Sequence, residues 1–389
     1  MRPQHDRPPI DVDHLTLASG YYTDPAYFAR EQAAIVRAMW LFVGRDDDVA
    51  EPGQWIVREL AGASVLIVRA DDGVVRAFHN VCRHRGTLLC DGTAGHTRGH
   101  LQCPYHAWTY RLDGALHRAP HMDQVVGFRV DDWPLTAIQL ARWAGCYFVW
   151  LGAGAPPPLA TQLDGLEQRL GPWRLDELVT VARRDYQLAA NWKLVIANYH
   201  ECLHCPNAHP QLNRLSNYLG GANEPPHDGW LGASMELAPG VATLSTRATV
   251  GAAPNRAALP GLDDGQRRQV LYYALLPAML INLHPDYVVL YRLTARGPDR
   301  TDIACQWLMH PDELGRAGFD PTDAVEFWDV TNRQDWELSD RAQAGIASVG
   351  YRPGPYSHRE DLLIAFDQWV LARAGRLADP SRPIGPVRP

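Results

Sequence analysis

The sequence predicts an α+β chain in which an all-β domain lies between an N-terminal helical arm and a larger mixed region. Between residues 41 and 151 short β-rich runs alternate with turn residues, and helical spacing of apolar residues appears on both sides of that stretch. Gly152 to Pro158, reading Gly-Ala-Gly-Ala-Pro-Pro-Pro, is a stiff break suited to a domain boundary. A length of 389 residues with 46% hydrophobic side chains supports two domains or one large one. The expected divisions are 1–40, an N-terminal arm and helix; 41–151, the β domain; and 152–389, the second domain.

The chain opens on a proline-rich polar stretch, then reads as a helix from about Pro25, with Tyr27, Phe28, Ile35, Met39 and Trp40 roughly at helical spacing. Trp55-Ile56-Val57 and Val65 to Val68 read as strands, punctuated by Pro52-Gly53, Asp71-Asp72-Gly73 and Asp113-Gly114. Asn191 to His204 carries Trp192, Val195, Ile196 and Tyr199 at helical spacing until Pro206 interrupts it. The segment Pro206 to Pro226, rich in Asn, Pro and Gly, is expected to be the least regular. Val270 to Met309 suggests antiparallel strands, and Phe319 to Ala344 and Glu360 to Ala374 suggest helices.

Lysine plus arginine total 37 and aspartate plus glutamate 44, so the formal charge is 37 − 44 = −7, which offers no electrostatic case for a nucleic-acid partner. Lys193 is the sole lysine, a feature of composition more than of mechanism. Seven cysteines, an odd number without a periodic framework, do not resemble a disulfide-stapled scaffold, and a reducing cytoplasm fits better. The opening Met1-Arg2-Pro3-Gln4-His5-Asp6 lacks the apolar core of a signal peptide, and the longest apolar stretch, Tyr272 to Leu283, is short and broken by Pro277, so no membrane span is expected.

Cysteine and histidine cluster in two places. In the first, Cys82-Arg83-His84 is followed after 18 residues by Cys103-Pro104-Tyr105-His106. Two thiolates and two imidazoles can hold zinc, or a [2Fe–2S] cluster in which histidines replace two cysteines on one iron. Zinc fingers usually pair cysteine with cysteine and histidine with histidine, whereas each short motif here supplies one of each. That crossed arrangement favours the cluster, and neutral imidazoles would raise its potential above that of an all-cysteine ferredoxin. Cys90, Cys146 and Cys305 are expected to be buried, unreactive thiols.

Through Cys-Arg-His-Arg-Gly at 82 to 86 and Cys-Pro-Tyr-His-Ala-Trp at 103 to 108, the chain resembles the catalytic α-subunits of the Rieske non-haem iron oxygenases. The resemblance implies a Rieske [2Fe–2S] domain on Cys82, His84, Cys103 and His106, inserted into a helix-grip catalytic domain, a curved antiparallel sheet around a long helix. It also implies a second iron site. In Asn198 to His209, Glu201 and His204 are expected three apart on one helical face, with His209 beyond the proline break. Two histidines and one carboxylate leave one face of Fe(II) open for dioxygen and substrate. In the resembled family an aspartate from a C-terminal helix closes such a triad, and Asp335 in Asn332-Arg333-Gln334-Asp335-Trp336 is the candidate. Zinc held by Cys202, Cys205 and His204 is the competing reading, in which the triad is lost; with the triad formed, both cysteines are packing residues.

The family usually has an aspartate three residues before its first iron-binding histidine, bridging to a Rieske histidine on a neighbouring subunit. Here the position is Glu201, and the implied relay runs through His106 of the adjacent chain, Glu201 and His204. The glutamate resembles the branch that hydroxylates quaternary ammonium compounds such as carnitine, glycine betaine and stachydrine. That likeness implies a homotrimeric cytoplasmic monooxygenase that takes electrons from NAD(P)H through a separate flavin and iron–sulfur reductase, uses dioxygen, and demethylates a small N-methyl substrate. Aromatic residues such as Trp230, Tyr287, Tyr291 and Trp307 are candidates to hold the cation. The alternatives are an aromatic-ring hydroxylating oxygenase with the same metal ligands, and a Rieske electron carrier, which leaves about 230 residues and the second cluster unexplained.

Overall fold

The computed structural model describes residues 14–252 and 255–378. The proline-rich opening of the N-terminal arm lies outside the described residues, apart from its last few positions. The chain divides into two compact units, one made of residues Trp40–Pro156 and the other of the residues up to Met39 together with those from Pro157 onward.

The smaller unit is all β. Its strands are β1 (Trp40–Arg45), β2 (Gln54–Leu60), β3 (Ala63–Arg69), β4 (Val75–His79), β5 (Ala94–His96), β6 (His100–Gln102), β7 (Thr109–Arg111), β8 (Leu116–Arg118), β9 (Ala137–Trp143) and β10 (Cys146–Trp150). They form a seven-stranded sheet in the order β1-β10-β9-β4-β3-β2-β5 and a three-stranded sheet β6-β7-β8. Two hairpins are closed by the same dipeptide, Ala61-Gly62 and Ala144-Gly145, with positive φ at all four residues, the backbone that matches strand twist in a two-residue turn. Trp40, expected at the end of the first helix, instead opens β1 and pairs with Trp150, because its ring is buried by strand pairing rather than by the helix.

In the larger unit the strands β11 (Val179–Leu188), β12 (Ser216–Asn223), β13 (Trp230–Leu237), β14 (Gln269–Leu275), β15 (Met279–Leu283), β16 (Val288–Gly297) and β17 (Arg300–Met309) make one antiparallel sheet, ordered β11-β17-β16-β15-β14-β13-β12. The 25-residue helix Thr322–Ile346 lies on it, with Trp328 Nε1 donating to Tyr287 Oη at 2.9 Å and Tyr291 Oη donating to Asn332 Oδ1 at 3.2 Å. This is the expected curved sheet gripping a helix. Buried apolar residues of sheet and helices form a single large core.

The segment Pro206 to Pro226 is more regular than its composition suggests. It holds a helix Pro210–Leu215 and then β12, whose Gly220 and Gly221 approach Asn217, Glu236 and the Ser234 carbonyl so closely that a Cβ would collide. Pairing with β13 overrides the local glycine and asparagine signals.

The helix Pro25–Ala34 begins at Asp24, whose carboxylate accepts from Ala26 N (2.7 Å) and Tyr27 N (3.4 Å), with Pro25 at the first helical position. Its Glu31 is buried and accepts from Lys193 Nζ (2.6 Å) and Trp192 Nε1 (3.1 Å). The single lysine is therefore one half of a buried ion pair joining the N-terminal helix to the helix Trp192–Tyr199. Removing one partner of such a pair typically costs about 3–5 kcal/mol.

Candidate active site

In the β unit, the two short motifs form loops with repeated backbone hydrogen bonding. Cys82 N donates to Thr87 O and Cys103 N to Trp108 O, both at 2.8 Å and both spanning five residues. Each cysteine carbonyl in turn accepts from the amide four residues on, Gly86 N at 3.0 Å and Ala107 N at 3.1 Å. The closing residues share a left-handed backbone, φ +76° at Gly86 and +54° at Ala107. Alanine is strained there, so the second loop is held open by its surroundings rather than by local preference.

Between the loops the donors sort by polarity. Cys82 and Cys103 are buried, whereas His84 is exposed and His106 partly so, their rings 4.7 Å apart. His84 stacks flat on buried Trp108 at 4.8 Å. Burial pushes the Cys82 thiol up, Tyr110 Oη at 3.3 Å offsets part of that, and neighbouring Cys103 adds to it. A thiol buried this way resists ionising unless a cation accompanies it. Thiols inside and imidazoles outside is the donor set that a two-cysteine, two-histidine [2Fe–2S] cluster requires.

In the larger unit the helix Trp192–Tyr199 starts at Asn191, whose Oδ1 accepts from Lys193 N at 3.0 Å, and ends before the candidate residues. Glu201 and His204 do not share a helical face as expected. They lie in the turn between this helix and the short helix Cys205–Ala208, where Glu201 Oε2 accepts from Leu203 N (2.6 Å) and Oε1 meets His204 Nδ1 (2.5 Å). The glutamate organises its own turn, so the spacing of three survives without the helix.

Both histidines then aim Nε2 at one oxygen of Asp335, on the helix Thr322–Ile346: His204 at 3.1 Å and His209 at 2.8 Å. The outer nitrogens are occupied, His204 Nδ1 by Glu201 and His209 Nδ1 by Gln334 Oε1 at 2.8 Å. Gln334 in turn accepts from Gln211 Nε2 at 2.8 Å. Hydrogen-bonding Nδ1 outward presents Nε2 as the metal donor. Burial lowers the basicity of His204, but Asp335 and Glu201 outweigh it and raise its pKa to about 10. Two imidazoles with one carboxylate fit ferrous iron with a face left open.

Gln334 was not foreseeable, since neighbours on a helix point about 100° apart and nothing in the sequence says that His209 will wedge between two of them. Cys202 and Cys205, expected as packing residues, are joined in a disulfide with a Cα separation of 5.0 Å. The turn around His204 brings them within bridging range. Cys205 Sγ lies within 4.8 Å of donor atoms of His204 and His209, but a disulfide sulfur is not the thiolate that zinc needs. Cys90, Cys146 and Cys305 are buried free thiols, as expected.

A cavity of about 90 Å³ opens beside these residues. Of the four aromatic residues singled out in the sequence, only Tyr291 lines it; Trp230, Tyr287 and Trp307 are packed in the core. Its other rings are Tyr199, Tyr218, Tyr272, Trp328 and Trp336. Tyr272 Oη, Asn332 Nδ2, Trp336 Nε1 and both His200 ring nitrogens are buried at its wall without a hydrogen-bond partner in the protein. Burial lowers His200 to about 3, which keeps its imidazole neutral. Unpaired groups of this kind cost about 1–3 kcal/mol each, so the wall is built to meet something polar.

Residues 39–134 match the Rieske [2Fe–2S] domain family, and residues 175–375 match the ring hydroxylating alpha subunit (catalytic domain) family. The chain is 33% identical over 397 residues to the glycine betaine monooxygenase oxygenase subunit of Chromohalobacter salexigens, covering 92% of this chain and 85% of that protein. It is 36% identical over 197 residues to the carnitine monooxygenase oxygenase subunit of Acinetobacter baumannii, covering 50% of this chain and 53% of that one. A crystal structure of the quaternary ammonium Rieske monooxygenase CntA with L-carnitine superposes with a TM-score of 0.76 at 25% identity, covering 93% of this chain and 96% of the other. With two matched domains, a relative across nearly its whole length and both donor sets assembled, this chain belongs to the Rieske non-haem iron oxygenases as a catalytic alpha subunit, an oxidoreductase that depends on a [2Fe–2S] cluster, a mononuclear iron and electrons from a reductase.

Proposed function

We propose that this oxygenase hydroxylates an N-methyl group of a small quaternary ammonium compound. The observation that carries the proposal is the cavity: Tyr199, Tyr272, Tyr291 and Trp328 surround it while Asp335 and Glu201 place carboxylates at its metal-binding end. Tyr199 and Tyr272 ring centroids are 5.9 Å apart, Tyr199 and Tyr291 6.3 Å, and Tyr272 and Trp328 6.4 Å. Aromatic faces attract a desolvated trimethylammonium group. The alternative, a ring hydroxylase, shares the metal ligands, and its neutral substrate gains no cation–π contact from these rings. The C. salexigens and A. baumannii relatives, whose names state glycine betaine and carnitine, support the same substrate class.

In this reading His204, His209 and Asp335 hold the mononuclear iron, and Cys82 and Cys103 with His84 and His106 hold the cluster. When bound, the iron supplies dioxygen activation and the cluster supplies single electrons. The protein's part is to orient and to exclude water. The aromatic rings seat the ammonium so that one methyl faces the open side of the triad. Glu201 holds the His204 ring by its Nδ1–H, and in this reading it also accepts an imidazole N–H from the Rieske histidine His106 of a neighbouring subunit in a homotrimer, acting as the electron relay. One oxygen atom enters the C–H bond and the other leaves as water, with two electrons and two protons consumed. The resulting N-hydroxymethyl ammonium loses formaldehyde, its hydroxyl proton passing to the nitrogen, and leaves the protonated tertiary amine.

The electron donor is inferred to be a separate flavin and iron–sulfur reductase fed by NAD(P)H, and the setting the cytoplasm. Among the described residues no helix is long and apolar enough to cross a membrane. Turnover with a surrogate reductase, screening betaines against aromatic acids, tests the reading: formaldehyde from a quaternary ammonium substrate is expected, and a hydroxylated ring without formaldehyde would overturn it.

A further inference from the structure

We infer that Arg359 receives the carboxylate of the substrate, making the enzyme selective for zwitterionic betaines over quaternary ammonium alcohols. The inference rests on the proposed N-methyl chemistry and adds to it the second half of the substrate. Among the described residues, Glu201, Asp335 and Arg359 are the acidic and basic side chains other than histidine that line the cavity, and Arg359 is the sole arginine or lysine. Glu201 and Asp335 are committed to His204 and His209 at the metal-binding end. Arg359 comes from a different part of the chain, the turn before the helix Asp361–Ala374.

That turn is built rigidly. Ser357 N donates to Glu360 Oε2 at 2.7 Å, Arg359 N donates to Ser357 Oγ at 3.2 Å, and the Glu360 carbonyl accepts from Leu363 N at 3.0 Å and Ile364 N at 3.1 Å. The next residue, Asp361, accepts from Asn223 Nδ2 at 2.6 Å, which fastens the turn to β12, and Asn223 itself lines the cavity. Arg359 is half-buried, and a guanidinium binds a carboxylate through two parallel N–H groups.

The cavity thus carries aromatic faces for the ammonium group and a cation on the wall formed with β12. A zwitterion with ammonium and carboxylate separated by a short chain satisfies both and enters in one orientation. An alcohol such as choline would set a neutral hydroxyl against the guanidinium and gain no ion pair. A polar wall that holds a charged partner discriminates against analogues lacking it far better than an apolar one does.

The test compares glycine betaine with choline in wild type, Arg359→Gln and Arg359→Lys, reading formaldehyde and oxygen uptake with a surrogate reductase and checking the visible spectrum of the Rieske cluster in each. The expected result is a preference for betaine in wild type. In Arg359→Gln the KM for betaine should rise by about 10- to 100-fold, the size of a lost charge-assisted pair, with a smaller fall in kcat and a collapse of the betaine-to-choline ratio. Arg359→Lys should recover part of that ratio. An Arg359→Gln enzyme with a normal cluster spectrum and an unaltered ratio, or equal losses on both substrates, overturns the assignment of Arg359 and leaves the demethylation reading standing. Absence of formaldehyde from every quaternary ammonium compound in wild type overturns both.

Discussion

The two metal-binding regions of this chain are assembled on different plans. In the β unit the candidate ligands come from two loops whose backbones repeat one another, each closing on its own cysteine through hydrogen bonds spanning four and five residues. In the larger unit His204 and His209 flank the short helix Cys205–Ala208, but Asp335 lies 126 residues beyond His209 in sequence, on a helix positioned by the sheet beneath it. A locally specified site should tolerate disturbance elsewhere, while a site closed by tertiary packing should depend on every element that positions it.

The largest separation is expected from removing one ligand of each kind. Asp335→Ala should leave the two irons of the cluster and lose the third, with turnover falling by more than the roughly 10- to 100-fold that outer hydrogen-bond partners are worth. Cys103→Ser should do the converse, keeping one iron per chain. Metal analysis of both proteins checks the pair, and loss of cluster irons from Asp335→Ala would show that the sites are not separately built.

Glu201→Gln should keep both centres loaded and stop turnover, because the amide is neutral and no longer a two-sided acceptor for imidazole N–H groups. Rapid mixing of the reduced protein with dioxygen reads whether the cluster still reoxidises in step with product; retained turnover would sink the relay.

A smaller effect is expected at Gln334. Gln334→Ala frees His209 Nδ1 and should weaken iron binding by about 10- to 100-fold in chelator competition, while the Rieske spectrum stays as in wild type.

The mildest change concerns stability in the larger unit. Burial raises Asp367 to about 7, only partly offset by the hydrogen bond from Tyr356 Oη and the charge of Lys193. Between about pH 4 and 7 the unfolded chain gives up this proton and the folded one keeps it, so this contribution to stability falls as pH rises, by about 1.4 kcal/mol per unit. Asp367→Asn should remove that slope and leave iron content alone. Urea unfolding at pH 5 and pH 7 measures it, and an equal slope in the variant would refute the assignment.

The difference between the regions also explains which features are legible in the sequence. Cys82, His84, Cys103 and His106 stand in short motifs whose spacing is itself the chemistry. His204, His209 and Glu201 are legible as a group, but the helical face expected for them does not form, since helical spacing in Trp192 to Tyr199 says nothing of the turn that Glu201 builds from its own carboxylate. Asp335 is suggested by resemblance, as one aspartate beside a tryptophan on a helix has no local signature. Gln334 and Arg359 have no signal at all, and three of the four aromatic residues expected at the cavity belong to the core.

By itself the sequence determined the two short cysteine–histidine motifs, the pairing of His204 with His209, the β unit and the strand and helix content around it, because spacing within a few residues is enforced by the chain's own geometry. Only the tertiary structure decided which carboxylate faces both histidines, which rings and which single guanidinium share one cavity, and that Lys193 lies buried against Glu31. Those contacts join residues far apart in sequence, and they exist only once strand register and core burial have set where each side chain points.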